Sequence, residues 1–311
     1  MAGRQPLQCF MRSLEVAQIT IQLPSRIKVH DRAMLTSRLN IRGNRDLQLA
    51  SSELCWAAPD ISGSRLEAKQ LMANLSKTQI DRLGDRLREG TPSESDLRLL
   101  DEYRRSFGEA YETVVRTIRE ELQLEPTGRP AKSTSSLIEK LHRESIRLSQ
   151  VQDIAGCRLL VANIVEQEQV VTSLCAAFPG ASVVDRRAKP SYGYRAVHVV
   201  AQITGKLVEI QVRTPLQHLW AELSEKLSDV VDPTIKYGGD SNLIRRVLAR
   251  FSENVANLED LEKRISHIQG QSVHEKLLQT LREEMASLKK DIADALGDAI
   301  NWVETQIGQK R

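Results

Sequence analysis

A row of basic side chains near the middle of the chain has a spacing suited to phosphate binding. Lys132, Ser136 and Lys140 follow one another at intervals of four residues, Arg143 comes three residues later, and Arg129 precedes them. On an α-helix, intervals of three and four place side chains along one face. Such a face could hold a triphosphate and neutralise the charge that shifts during phosphate transfer. A row of solvated surface charges is the alternative that this segment alone leaves open.

Two carboxylates further along the chain could bind a divalent metal ion. Asp153 begins the segment DIAGCR at the entry to a predicted strand, and Glu209 and Gln211 lie in the alternating segment LVEIQV. Alternate residues of a strand share one face of the sheet, so we expect Glu209 and Gln211 on the same side. Carboxylates on neighbouring strands can hold Mg²⁺, which prefers oxygen ligands and substrate phosphates. Alternatively, Asp153 caps a turn and Glu209 pairs with an arginine.

A glycine-containing segment between these carboxylates, GYRAVH, supplies an aromatic ring and an imidazole. Gly193 allows a tight loop. Tyr194 could stack on a nucleobase, and His198 could contact a ribose or a phosphate. A single tyrosine or histidine is more often structural, so this segment gains meaning only beside the other three.

The predicted secondary structure places these segments in one small α+β unit. Alternating apolar residues indicate strands, and the Thr204-Gly205-Lys206 turn joins two of them as a hairpin, which makes the sheet largely antiparallel. The predicted helices span 133–148, 165–178 and 215–227, and the predicted strands span 157–162, 182–185, 196–203 and 207–212.

Helical patterns flank this unit on both sides. Residues 64–125 contain two amphipathic stretches, and Ser93 with Asp96 predicts a capping box at the start of the second, which is expected to run to Leu124. Residues 241–311 contain two long apolar stripes. We expect these stripes to form a helical hairpin that packs on the catalytic unit or on another subunit, which would make a homo-oligomer.

The first 63 residues have no sustained period, and we predict that residues 1–63 are poorly ordered. A regular helical pattern begins only at Met72, so whether residues 1–71 belong to the natural protein stays open. The four cysteines lack the short spacing of zinc or redox motifs, which fits a reducing cytoplasm. No run approaches the roughly 18 apolar residues of a membrane helix. We expect a cytoplasmic protein without membrane contact.

Together and in this order, the four segments resemble the RelA/SpoT synthetase family. The matching residues are Lys132, Ser136, Lys140 and Arg143, then 153–158, 193–198 and 209–214. The resemblance covers about a third of the chain and defines a synthetase domain at 126–240. It implies a mixed, largely antiparallel five-stranded sheet flanked by helices, similar to nucleotidyltransferases, with N- and C-terminal helical extensions.

The resemblance also implies a role for each matching residue. Arg129 and Arg158 would enclose the adenine of ATP, Asp153 and Glu209 would bind Mg²⁺ as the catalytic pair, and Tyr194 would stack on the acceptor base. Glu209 would also help to deprotonate the acceptor hydroxyl. The other ATP contacts would be Lys132, Ser136, Lys140 and Arg143, and the other acceptor contacts would be His198, Gln211, Lys189 and His218.

Three departures from the family pattern fall mainly on the acceptor side. Arg129 lies three residues before Lys132, where the usual spacing is two. Pro190 stands where the family has a lysine, and Lys189 lies one residue earlier. His218 stands where an asparagine is expected. The ATP half of the reaction is therefore better supported than the identity of the acceptor.

We therefore expect an ATP-dependent pyrophosphotransferase that acts on the 3′-hydroxyl of GDP or GTP. The alternatives are a toxic small relative that uses an adenine nucleotide or the 3′ end of tRNA, and a nucleotide-binding module without turnover. The only His-Asp pair is His30-Asp31, with no second histidine upstream of the synthetase unit, so the hydrolase activity of long family members is not expected.

Overall fold

The structure is a computed structural model that describes residues 76–90, 92–129, 131–230, 242–268 and 275–308. The segment predicted to be poorly ordered, 1–63, lies outside the described residues, and so do Met72 and the His30-Asp31 pair. None of the described helices carries an apolar run of the length needed to span a membrane.

Three helices precede the sheet: α1 (Lys77–Glu89), α2 (Glu94–Arg105) and α3 (Gly108–Leu122). The predicted capping box at the start of α2 is confirmed, because the Ser93 hydroxyl accepts from the Asp96 amide and the Asp96 carboxylate accepts from the Ser93 amide. The prediction of one continuous helix from Ser93 to Leu124 is wrong. The chain turns at Ser106 and Phe107, where the Phe107 ring packs edge-on against Tyr103.

Five strands form one sheet in the order β1-β2-β5-β4-β3. Only the pairing of β2 with β5 is parallel, so the predicted mixed, largely antiparallel five-stranded sheet is confirmed. β1 has three residues between Pro126 and Pro130 and was not expected from the sequence. The strands are β1 (Thr127–Arg129), β2 (Ala155–Leu160), β3 (Ser182–Asp185), β4 (Val197–Ile203) and β5 (Lys206–Arg213).

The two faces of the sheet have different environments. α3 and α5 cover one face, where the side chains of Leu159, Val199 and Ile210 are almost completely buried. Because side chains alternate along a strand, the polar residues between these positions lie together on the opposite face. The remaining helices are α4 (Thr134–Arg143), α5 (Ile164–Ala177), α6 (Pro215–Val230), α7 (Asn242–Ile268) and α8 (Glu275–Gly308).

The last three helices share one apolar core, which includes Leu216 and Trp220 of α6, Phe251 of α7, and Ile292 and Val303 of α8. α8 packs on both α6 and α7, and α7 also contacts α5. The C-terminal helices therefore pack on the unit of the same chain that contains the sheet.

A glycine in β2 sets the distance between the two parallel strands. Gly156 lies beside Glu209 of β5, and a Cβ atom at Gly156 would be only 2.8 Å from the Glu209 carbonyl oxygen. We expect Gly156→Ala to force the strands apart and to lower the free energy of unfolding by about 1–3 kcal/mol, as measured by urea denaturation. Gly108→Ala is the matched control, because an added Cβ there meets nothing within 4 Å. Equal losses in the two variants would contradict this role of Gly156.

Candidate active site

The polar face of the sheet brings together residues from the predicted segments. The strand register aligns Arg158 of β2 and His198 of β4 with Gln211 of β5, and it places Glu209 beside Gly156. Residues directly opposite one another in neighbouring strands have side chains on the same face. The expectation that Glu209 and Gln211 share a face is confirmed.

Asp153, just before β2, lies between two lysines. Its carboxylate oxygens are 2.7 Å from Lys132 Nζ and 2.9 Å from Lys140 Nζ. Burial alone would raise the pKa of Asp153, but the two ammonium groups outweigh it and lower the pKa to about 2. The carboxylate is therefore ionised at neutral pH, and both lysines are paired with it.

The basic row does not lie on one helix face as predicted. α4 begins at Thr134 with Ser133 as its N-cap, so Lys132 belongs to the preceding turn, where its amide donates to the Ile154 carbonyl oxygen. Ser136 and Arg143 do lie on α4. The Ser136 hydroxyl accepts from the Ser133 hydroxyl, and Arg143 lies beside Glu144, the residue that follows the helix.

Two of the N-terminal helices, α1 and α2, hold the segment of this basic row by hydrogen bonds. Arg104 of α2 donates to the Lys132 carbonyl oxygen and to the Thr134 hydroxyl. Arg88 of α1 donates to the carbonyl oxygen of Leu141, near the end of α4. The two ends of the segment that carries Lys132 and Lys140 are therefore held by arginines of two different helices, α2 and α1.

Glu209 closes a ring of hydrogen bonds. Its carboxylate oxygens are 2.8 Å from His198 Nδ1 and 2.7 Å from Gln211 Nε2. The Tyr194 hydroxyl is 2.8 Å from His198 Nε2. Arg213 Nη2 donates to both the Tyr194 hydroxyl, at 2.8 Å, and Gln211 Oε1, at 2.7 Å.

The two charged members of this ring have fixed hydrogen-bond directions. A carboxylate only accepts and a guanidinium only donates, so Glu209 accepts from His198 and Gln211, and Arg213 donates to Tyr194 and Gln211. Burial raises the pKa of Glu209, but the hydrogen bonds from His198 and Gln211 outweigh it, and the net pKa lies below the ordinary value. Glu209 is therefore an ionised acceptor on the open face.

The Tyr194 ring is held on several sides. Its centroid is 5.6 Å from that of His198, 6.3 Å from that of Trp220, and 5.1 Å from the guanidinium carbon of Arg213. The sequence predicted only a stacking role for Tyr194, whereas its hydroxyl also takes part in the ring of hydrogen bonds that contains Glu209. Arg213 belongs to the matching segment 209–214 but was given no role, although it alternates with Glu209 and Gln211 along the same face of β5.

A cavity of about 450 Å³ opens between the sheet and α6. Arg158 and Arg213 line the sheet side of this cavity, and the Nε atoms of both arginines are buried without a hydrogen-bond partner. Burial and the neighbouring charge of Arg213 lower the pKa of Arg158, and burial and both arginines lower the pKa of His218. Positive charge is thus concentrated here. The opposite wall is formed by α6 and carries His218, Glu222, Glu225, Lys226 and Asp229.

The loop before Tyr194 has fewer available cations than its sequence indicates. Arg187 donates to both carboxylate oxygens of Asp185 and lies 3.7 Å from Glu168, so it is committed within the fold. Lys189 is exposed. Arg129, at the opposite edge of the site, ends β1 in register with Gly156.

Comparisons with known proteins match the part of the chain that carries this site. The family model described as "Region found in RelA / SpoT proteins" matches residues 128–228. GTP pyrophosphokinase YjbM of Bacillus subtilis is 32% identical over 160 residues, which are 47% of this chain and 71% of that protein.

Two further similarities cover different shares of the chains. The uncharacterized protein Rv1366 of Mycobacterium tuberculosis is 39% identical over 111 residues, 34% of this chain and only 41% of that protein. This chain therefore spans less than half the length of that relative. The crystal structure of small alarmone synthetase 1 from Bacillus subtilis aligns with a TM-score of 0.40 at 29% identity, covering 56% of this chain and 97% of that one.

The hydroxyl of Tyr194 allows a direct test of the ring. Tyr194→Phe should lower the free energy of unfolding by about 1–3 kcal/mol, because a partly buried guanidinium and an imidazole each lose a partner. Tyr192→Phe is the matched control, because it removes the hydroxyl of a tyrosine two residues away whose side chain is 57% exposed. It should leave the free energy of unfolding unchanged. Urea denaturation of both variants measures the difference. Identical stability of the two variants would mean that the hydrogen bonds of the Tyr194 hydroxyl do not stabilise the fold.

Proposed function

The chain belongs to the RelA/SpoT family, and we propose that it transfers the β,γ-pyrophosphate of ATP to the 3′-hydroxyl of GDP or GTP. The observation that carries this proposal is the presence of two ionised carboxylates on neighbouring parts of the chain, Asp153 between two lysines just before β2 and Glu209 in the hydrogen-bonded ring on the adjacent strand β5. In the transfer, the acceptor oxygen forms a bond to the β-phosphorus. The bond from that phosphorus to the α,β-bridging oxygen breaks, and AMP leaves with this oxygen.

The donor nucleotide would bind along α4. Lys132 and Lys140 would exchange Asp153 for the phosphates of ATP, with Ser136 and Arg143 as further contacts and Arg129 and Arg158 beside the adenine. Charge-assisted bonds to phosphate are the strongest that such side chains make, which favours the exchange. Positioning and charge neutralisation are the main requirements of phosphoryl transfer.

Asp153 and Glu209 would together hold Mg²⁺. Their charges already interact, because the charge of Asp153 opposes ionisation of Glu209. Among the described residues no group of three or more metal-ligating side chains occurs, which fits Mg²⁺, since this ion is usually held by one or two carboxylates and substrate phosphates. Bound there, Mg²⁺ would neutralise charge on the transferred phosphates. Glu209 would also accept the proton of the 3′-hydroxyl.

The acceptor would enter the cavity beside α6. Tyr194 would offer its ring to the base, with His198, Gln211 and His218 around it, and Arg158 and Arg213 would attract the anionic nucleotide. A base with several N–H donors, such as guanine, matches the carboxylates on the facing wall. A relative whose name is GTP pyrophosphokinase supports the same choice.

The loop before Tyr194 favours a second candidate acceptor, because it offers few cations for the acceptor phosphates. Pro190 stands in place of the family lysine, and Arg187 cannot replace it because Asp185 holds it. Lys189 remains as an exposed cation near the acceptor phosphates. Weaker phosphate binding would suit an adenine nucleotide or the 3′ end of tRNA. A nucleotide-binding module without turnover is disfavoured by the retained Asp153 and Glu209.

Incubation with γ-labelled ATP and Mg²⁺, with GDP, GTP, ATP or tRNA added in separate reactions, distinguishes the candidates. Label transferred to GDP or GTP supports the proposal. Label transferred only to ATP or tRNA supports the second candidate. Label that stays on ATP in every reaction contradicts transfer.

Removal of either carboxylate should abolish transfer. We expect Asp153→Asn and Glu209→Gln each to lower kcat by more than about 100-fold, because a metal contact to transferred phosphates contributes several kcal/mol. The matched control is Asp81→Asn, because the Asp81 side chain is 14% exposed and accepts from the Ser149 amide, outside this pair. Near-normal transfer in both site variants would refute the assignment, and a chelator should stop the wild-type reaction.

A further inference from the structure

The C-terminal helix α7 lies outside the matched segment 128–228, yet it binds the loop that carries Tyr194. Arg195, the next residue, donates to Glu259 Oε2 from Nε at 3.2 Å and from Nη2 at 2.6 Å. The two side chains are only 11% and 8% exposed. This pair is therefore a buried salt bridge between the loop and α7.

Glu259 also reaches the start of α6. Its other oxygen, Oε1, accepts from Gln217 Nε2 at 2.6 Å, and Gln217 Oε1 accepts from the Thr214 amide at 3.2 Å. Arg195 itself donates from Nη1 to the Arg187 carbonyl oxygen. One carboxylate thus connects the loop of Tyr194 with the helix that lines the cavity.

The loop is also seated on α7 by close packing. Tyr192 and Gly193 form a tight turn with φ angles of 55° and 92°, closed by the Tyr194 amide donating to the Ser191 carbonyl oxygen. A Cβ atom on Gly193 would lie 2.9 Å from Trp220 and 3.3 Å from the Cβ of Ser252 in α7. Only glycine fits this turn without strain, since its φ is positive and its neighbours leave no room.

We propose that Glu259 is a positioning residue of the acceptor site, which acts by holding Arg195 and thereby fixing the Tyr194 ring. The inference rests on the proposed function and extends it to α7. Arg195 and Tyr194 are consecutive, so an anchor on one limits the backbone of the other. Loss of Glu259 leaves the Arg195 charge buried without its carboxylate, which favours other loop conformations. Displacement of a binding group by about 1 Å can cost up to 100-fold in rate.

A matched control lies one turn further along α7. Glu262 is 8% exposed, pairs with Lys289 of α8, and accepts from the Ile164 amide at 3.4 Å. Glu262→Gln therefore weakens a comparable buried ion pair of the same helix without touching the loop. If Glu259 served only to attach α7 to the domain, both variants would behave alike.

Saturation curves for ATP and for the acceptor distinguish a positioning role of Glu259 from a role only in attaching α7 to the domain. We expect Glu259→Gln to raise the KM for the acceptor by about 10- to 100-fold and to leave the KM for ATP unchanged. Glu262→Gln should leave both unchanged, even where the two variants lower Tm equally. Equal losses for the two substrates in Glu259→Gln, or equal effects of the two variants, would overturn the proposal.

Hydrogen exchange of the loop gives a readout that needs no turnover. The Arg186 amide donates to the Ala196 carbonyl oxygen and the Tyr194 amide to that of Ser191, and both should exchange faster in Glu259→Gln than in Glu262→Gln. Unchanged exchange contradicts positioning whatever the acceptor is. If the wild-type protein transfers nothing, the proposed function fails and the exchange result still decides this inference.

A second variant, Arg195→Lys, tests the same contact if Glu259→Gln does not fold. Arg195→Lys keeps the charge beside Glu259 but loses the two-pronged contact and the bond to the Arg187 carbonyl oxygen. It should raise the acceptor KM in the same direction, by a smaller factor, with the ATP KM unchanged. A rise in both KM values would mean that the pair is only structural.

Discussion

The burial of Glu209 constrains this site more than any other single feature. A carboxylate that is only 13% exposed must be compensated by donors, and its two oxygens receive them from His198 and Gln211. Those two donors are themselves oriented by Arg213, directly or through Tyr194. The position of each of these side chains therefore depends on the others, and on the register that sets His198 opposite Gln211. A one-residue slip of β4 would turn His198 to the other face of the sheet.

Asp153 is compensated by a separate set of charges, and this difference divides the site into two halves. Its partners Lys132 and Lys140 come from α4 and the turn before it, and Arg104 and Arg88 of the N-terminal helices hold that segment. Without nucleotide, the lysines are already neutralised. Binding of ATP would therefore exchange one anionic partner for another, so the phosphates need not remove bare ammonium groups from water.

Local sequence patterns predicted what depends on near neighbours. Strand alternation placed Glu209 and Gln211 on one face, and Ser93 with Asp96 marked the start of α2. The break at Phe107 was missed because the apolar stripe continues across it. No role was predicted for Arg213 or Glu259 for a different reason: Tyr194 and Arg195, which they contact, come from a distant loop, and no periodicity reveals such pairs.

The half of the site around Tyr194 depends on the C-terminal helices, as the half around Asp153 depends on the N-terminal ones. Glu259 of α7 holds Arg195, and Trp220 of α6 donates to the Leu248 carbonyl oxygen of α7 beneath the Tyr194 turn. No corresponding contact joins α7 to Lys132 or Lys140 within the part of the chain that the structure describes. A change in the packing of α7 would thus alter the surroundings of Tyr194 and leave the lysine pair around Asp153 in place. The element common to both halves is the sheet, since Asp153 directly precedes β2 and Glu209 lies on the neighbouring strand β5, and a rigid sheet lets each half be tuned without disturbing the other.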